Sequence, residues 1–171
     1  MRLFVALALA EDVLLELAKV RQRLARRDDG LRWTAAESWH VTLQFLGETD
    51  AARMTQVVDA LRTVRATPLT VSMEDLGIFE RAGVLYAGVR ATPELLTLEQ
   101  CVVEATAQCG FVREARPFRP HITLARRKGR VGSEALGALE RKLGTLQPRG
   151  QFMALEFCLY ESYLGTGGSR Y

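Results

Sequence analysis

The chain of 171 residues holds only two histidines, and both open the same short pattern, His40-Val41-Thr42-Leu43 and His121-Ile122-Thr123-Leu124, 81 residues apart. Thirteen residues are threonine, so two unrelated histidines each meeting Thr two places on is a chance on the order of 0.6%. Sliding the chain along itself by the same distance aligns more than the motifs. Strand-like Leu3–Leu9 falls on Val84–Arg90, the helical run Glu11–Arg27 on Thr92–Gln108, a second helix at about Asp50–Ala66 near Ser133–Leu146, and strand-like Thr70–Phe79 on Gln151–Tyr160. Residue identity between the halves is low; what repeats is the order strand, helix, His strand, helix, strand. The pattern predicts a duplicated unit, roughly 1–80 and 82–160, within one bilobal domain over 1–171. Paired helices with strands between them favour α+β over a doubly wound parallel sheet. The expected fold has two similar lobes, each with a mostly antiparallel sheet and two helices, related by a pseudo-twofold around a central cleft.

Local signals support this order. The segments 40–46 and 121–125 are rich in β-branched and apolar residues and read as strands. Alternation puts His40 with Thr42, and His121 with Thr123, on one face, while Val41, Leu43, Ile122 and Leu124 point into a core. In the first helix Val13, Leu14, Leu17, Val20 and Leu24 keep a 3.6-residue period behind the acidic first turn Glu11-Asp12. Thr92-Pro93-Glu94 reads as a helix start and Gly110 as its stop, with Ser133 and Gly144 bracketing the fourth helix.

At 48% hydrophobic residues the chain can bury one good core or two small lobes. No stretch is long and apolar enough to span a membrane. Met1–Ala10 reads as a strand rather than a signal peptide, because its apolar run is short and Glu11-Asp12 follow at once. Cys101, Cys109 and Cys158 are odd in number and lack Cys-x-x-Cys spacing, which points to free thiols in a reducing compartment, the cytoplasm. The net charge of +3 argues little by itself. Its distribution argues more: Arg113, Arg116, Arg119, Arg126, Arg127, Lys128 and Arg130 crowd the segment around His121 with only Glu114 opposing, a basic rim suited to an anionic substrate. Solvated loop charge is an equally good account of any one of them.

A lone histidine on a strand is more often structural than catalytic, and duplication reverses that balance. Two imidazoles facing each other suit general acid–base catalysis, since an ordinary pKa near 6.5 lets one be neutral while the other is protonated. The Thr42 and Thr123 hydroxyls could hold non-bridging oxygens of a phosphate between them. Two histidines without a third ligand, a Cys cluster or an adjacent carboxylate pattern do not make a zinc or iron site, so no metal is expected. No Gly-x-Ser-x-Gly, Walker A loop or dinucleotide fingerprint is present, and no cofactor is expected.

The paired motifs resemble the 2H phosphoesterases, and their surroundings resemble the RNA 2′,3′-cyclic phosphodiesterases, also known as RNA 2′-5′ ligases. The similarity is carried by Arg2-Leu-Phe-Val-Ala, by His-Val-Thr-Leu-Gln-Phe-Leu-Gly at 40–47, by Arg-Pro-Phe-Arg-Pro-His-Ile-Thr-Leu-Ala-Arg at 116–126, by Leu159-Tyr-Glu-Ser and by the Gly-rich 165–171. The resemblance implies the bilobal α+β fold, a cleft holding both histidines, and metal-independent opening of a terminal 2′,3′-cyclic phosphate by water to leave a 2′-phosphomonoester. It also implies a capacity to join tRNA half-molecules through a 2′-5′ linkage. Of the two directions of proton flow, the one adopted has His121 deprotonating the water and His40 protonating the departing 3′ oxygen. Thr42 and Thr123 would anchor the phosphate and Arg126 would help neutralise it. Strict alternation sends Arg126 to the opposite face, so a bulge or strand end must turn it inward; on a straight strand Arg127 takes its place. Phe45 would pack near a base or in the core. The expected partners are RNA ends, tRNA fragments among them, or nucleotides, met by a monomer away from membranes. Two rival readings remain at this level: a phosphodiesterase for small cyclic or 2′-5′ linked nucleotides, and a non-catalytic module that holds RNA 3′ ends.

Overall fold

The computed structural model describes residues 1–129, 131–165 and 168–170; Arg130 of the basic segment and residues 166, 167 and 171 of the Gly-rich end lie outside them. Alternation builds the first strand, β1 (Arg2–Ala8), which sends Leu3, Val5 and Leu7 into the core and Phe4 and Ala6 to the other face. It is followed by α1 (Glu11–Leu24), whose Val13, Leu17, Val20 and Leu24 are buried. Then come β2 (Leu31–Trp33), β3 (His40–Glu48), α2 (Ala51–Thr63) and β4 (Leu69–Phe79). The second half runs β5 (Val84–Val89), α3 (Pro93–Ala107), β6 (His121–Arg127), α4 (Val131–Leu143), β7 (Gln151–Ala154), β8 (Cys158–Gly165) and β9 (Gly168–Arg170). The expected order of strand, helix, His strand, helix, strand is present in both halves. Among the described residues no helix is long and apolar enough to cross a membrane.

The cap chemistry is partly as anticipated. Thr92 accepts a hydrogen bond from the Leu95 amide at the start of α3, and Gly110, at φ 82°, ends that helix in the left-handed region a side chain would resist. Asp50 does for α2 what Thr92 does for α3, accepting from the Arg53 amide. Ser133 does not cap α4: the helix begins two residues earlier, at Val131.

The strands form two antiparallel sheets, β3-β1-β8-β9 and β2-β6-β5-β4-β7, with the four helices completing an α+β fold. Three features escaped the sequence reading. The short β2 of the first half pairs with β6 of the second. The expected single strand 151–160 is broken at 155–157 into β7 and β8. And the last strand of each half belongs to the other half's sheet: β4 pairs with β5, and β8 with β1. The exchange turns on the β4–β7 ladder, where Val71 lies opposite Phe152, two residues related by the 81-residue offset.

Candidate active site

Both histidines sit at the first position of their strands, and both are oriented from behind by the carbonyl two residues upstream. His40 Nδ1 lies 2.8 Å from the Ser38 oxygen and His121 Nδ1 lies 2.7 Å from the Arg119 oxygen. A carbonyl only accepts, so each Nδ1 carries hydrogen, and Nε2 is left as the nitrogen that gains or loses the proton.

Each ring also rests on an aromatic platform. Phe4 lies 4.7 Å from His40, centroid to centroid, and stacks at 5.2 Å on Tyr160, whose ring is 6.3 Å from His40. Across the site Phe79 and Tyr86 stack on one another at 4.1 Å and meet His121 nearly edge-on at 4.9 and 5.6 Å. Tyr160 and Phe79 are again 81 residues apart. Neither stands among the site residues expected from sequence, although the 81-residue offset sets them opposite each other.

The strand geometry decides the position of Arg126. In β3 the register passes from Ala6↔Thr42 to Val5↔Gln44, so Leu43 is an extra residue; in β6 it passes from Tyr86↔Thr123 to Leu85↔Ala125, so Leu124 is the extra one. These bulges occupy equivalent positions and invert the alternation beyond them. Leu43 and Gln44, like Leu124 and Ala125, are consecutive buried residues. Thr42 and Thr123, both half-buried, share the histidine face before the bulge, and Phe45 and Arg126 return to it after the bulge. Phe45 is 53% exposed and is therefore not a core residue. Arg127 goes to the other side: it donates to Ser133 Oγ and the Arg81 carbonyl, over Gly83 and Gly132, where a side chain would collide with it.

The electrostatics place these groups together. Burial holds the His40 pKa down at about 4, with the positive charges of His121 and Arg126 acting the same way against the Ser38 carbonyl. Burial also lowers the pKa of His121, again with Arg126 opposing protonation. Arg32 on β2 lies directly across from Arg126 in the ladder, so two guanidinium side chains share that face. Like charges opposite one another cost stability unless an anion comes between them. Of the rest of the basic rim, Arg113 is engaged 2.9 Å from the buried Glu99. Among the described residues no three His, Cys, Asp or Glu side chains gather where they could share a metal ion.

The chain matches the model of the 2′-5′ RNA ligase superfamily over residues 16–165. It is 31% identical to the RNA 2′,3′-cyclic phosphodiesterase of Escherichia coli K12, covering 99% of this chain and 92% of that protein. It is 32% identical to the protein of the same name from Thermotoga maritima, over 75% of this chain and 71% of that one. Among solved structures, E. coli LigT complexed with NADP+ superposes with a TM-score of 0.80 at 31% identity, covering 99% of this chain and 92% of LigT. With most of its length inside the family model and near-complete overlap with these relatives, this chain belongs to the 2′-5′ RNA ligase superfamily of 2H phosphoesterases.

Proposed function

We propose that the protein is a metal-independent RNA 2′,3′-cyclic phosphodiesterase that opens a terminal cyclic phosphate to a 2′-phosphomonoester. The observation that carries this reading is the pair of carbonyl-oriented imidazoles, each with a Thr two residues on, close enough for the charge of one to weigh on the other. In the reaction His121 Nε2 takes a proton from water as its oxygen attacks phosphorus. The bond from phosphorus to O3′ breaks, and O3′ takes the proton held by His40 Nε2. Thr42 and Thr123 hold the non-bridging oxygens, Arg126 offsets their charge, and exposed Phe45 offers its ring to the terminal base. The negative phosphate adds a counter-charge beside the rings, which lets an imidazole be protonated nearer neutrality.

The relatives carry the name RNA 2′,3′-cyclic phosphodiesterase, which favours RNA ends over small cyclic nucleotides, and intact motifs in both halves favour catalysis over mere holding of 3′ ends. We take the chain as one domain built by duplication, in keeping with the matching bulges and the Val71–Phe152 pairing. A monomer in the cytoplasm suits the three free thiols. The test is hydrolysis of a short RNA ending in a 2′,3′-cyclic phosphate, in excess EDTA, with product identification. Wild type should yield the 2′-phosphate at an unchanged rate, and His40→Ala and His121→Ala should each lose about 10²–10⁴-fold. Activity surviving either substitution, or lost to EDTA alone, would overturn the two-histidine mechanism.

A further inference from the structure

The two walls of the site are built alike, but a nucleotide has two different ends, so the residues that break the likeness are the ones able to tell those ends apart. Two such breaks stand on the histidine face. The first follows the bulges, where the 81-residue offset sets Phe45 against Arg126, a ring on one wall and a guanidinium on the other. The second is β2, which has no counterpart among the described residues: the offset carries 31–33 onto 112–114, between α3 and β6 and outside any strand. Arg32 falls there on Arg113, which is tied to Glu99. Arg32 itself is exposed beside Arg126.

The strand that carries Arg32 is fixed at both ends. The Lys128 amide donates to the Gly30 carbonyl and the Thr34 amide to the Leu124 carbonyl, each at 2.8 Å. Leu31 is buried, so β2 keeps its register and Arg32 keeps the face it shares with Arg126. Asp29, the acid nearest to Arg32 in sequence, is engaged by the Leu31 amide and the Trp33 indole. No salt bridge among the described residues reaches Arg32. The two guanidinium groups also stand at different depths: the charge of Arg126 weighs on both imidazoles and that of Arg32 on neither. Arg126 therefore belongs to the reacting phosphate, and Arg32 lies farther out.

A 2′,3′-cyclic phosphate is a diester with a single negative charge, which Arg126 meets. The next anion on an RNA end is the phosphodiester on the 5′ side of the same ribose. We propose that Arg32 forms an anion subsite for this 5′ phosphodiester, so that cyclic phosphates at the end of a chain are preferred to free nucleoside 2′,3′-cyclic phosphates. The subsite rests on the phosphodiesterase reading of the two histidines and names a feature of the substrate beyond the reacting group. A guanidinium fork matches the two non-bridging oxygens of a diester. With the terminal base at Phe45 and its 5′ phosphate at Arg32, the nucleotide is oriented by the features in which the two walls differ.

The experiment compares two substrates that differ in one group: adenosine 2′,3′-cyclic phosphate with a free 5′-hydroxyl, and the same compound carrying a 5′ methyl phosphate, a singly charged diester like the chain linkage. The readout is the ratio of kcat/KM on the two, for the wild type, Arg32→Gln and Arg32→Lys, at low and raised salt. The wild type should favour the methyl phosphate about tenfold or more at low salt, and the ratio should shrink as salt is added. Arg32→Gln should bring the ratio to within about twofold of unity, while Arg32→Lys, which keeps the charge and loses the fork, should retain part of it. A wild type without the preference would overturn the subsite. So would an Arg32→Gln protein that keeps the preference; a fall on both substrates together would then place Arg32 at the reacting phosphate instead. Opening of the cyclic end of a short RNA with neither small compound turned over would overturn it as well, because one added phosphate would not be what is read. A wild type that opens none of the three would overturn the phosphodiesterase reading beneath it.

Discussion

At the scale of the residue, the decisive fact is that both imidazoles sit in surroundings that disfavour their charge. A general acid–base pair needs one ring neutral and one protonated, and with His40 held at about pH 4 and His121 also lowered, that state thins out as the pH rises through neutrality. The kcat/KM profile, which reports the free enzyme, should therefore peak below pH 6.5, while the kcat profile, which reports the complex with an anion between the rings, should lie to its alkaline side. Arg126 opposes protonation of both rings, so Arg126→Gln should slow turnover about 10²–10³-fold and also move the kcat/KM profile to higher pH. A slower enzyme with an unmoved profile would remove Arg126 from the neighbourhood of the histidines. The roles of the two rings separate with a donor whose 3′ oxygen is replaced by sulfur, a leaving group that needs no proton. His40→Ala should regain most of its activity on that substrate and His121→Ala should not; the opposite result would exchange acid and base. The same shifts govern stability. Both folded-state pKa values lie below the unfolded value near 6.5, so from that pH downward the unfolded chain binds more protons and thermal stability should fall as the solution is acidified.

At the scale of the element, two extra residues do most of the work. Leu43 and Leu124 are buried side chains that any reading of alternation accepts, and nothing in either pentapeptide marks them as the bulge, because a bulge is a property of the pairing between strands. That is why the histidine faces, the core positions and the helices were legible in the sequence, while the choice between Arg126 and Arg127 was not. The platforms under the histidines lay hidden for a related reason: Phe4, Tyr160, Phe79 and Tyr86 reach the rings only through ladders joining distant segments. The placement of Arg127 can be checked separately from that of Arg126. Because its stem packs over Gly83 and its head bonds Ser133 and the Arg81 carbonyl, Arg127→Ala should leave hydrolysis within about threefold and lower stability by ~1 kcal/mol in a denaturant titration. A loss of turnover matching that of the Arg126 variant, without a loss of stability, would put Arg127 in the cleft after all.

At the scale of the whole molecule, the exchange of strands makes the halves interdependent. If each half kept its own final strand, two small lobes could unfold one after the other. Here β4 leaves the first half to pair with β5, β8 leaves the second to pair with β1, β2 crosses to β6, and β4 and β7 zip together between them. Each sheet is thus incomplete without residues from the other half, so His40 on β3 and His121 on β6 are held at a separation that local opening of one half cannot change alone. The consequence is a single cooperative transition. The chain's two tryptophans report it independently: Trp33 lies on β2 in the second sheet, its indole N–H donating to Asp29, while Trp39 is buried just before β3 in the first. In the single-tryptophan proteins Trp33→Phe and Trp39→Phe, urea unfolding followed by fluorescence should therefore give one midpoint and one slope in each, and each should coincide with its own circular dichroism curve. A fluorescence curve that departs from the circular dichroism curve of the same protein would show that one sheet melts before the other, and that the crossing strands do not lock the two histidine walls into one unit.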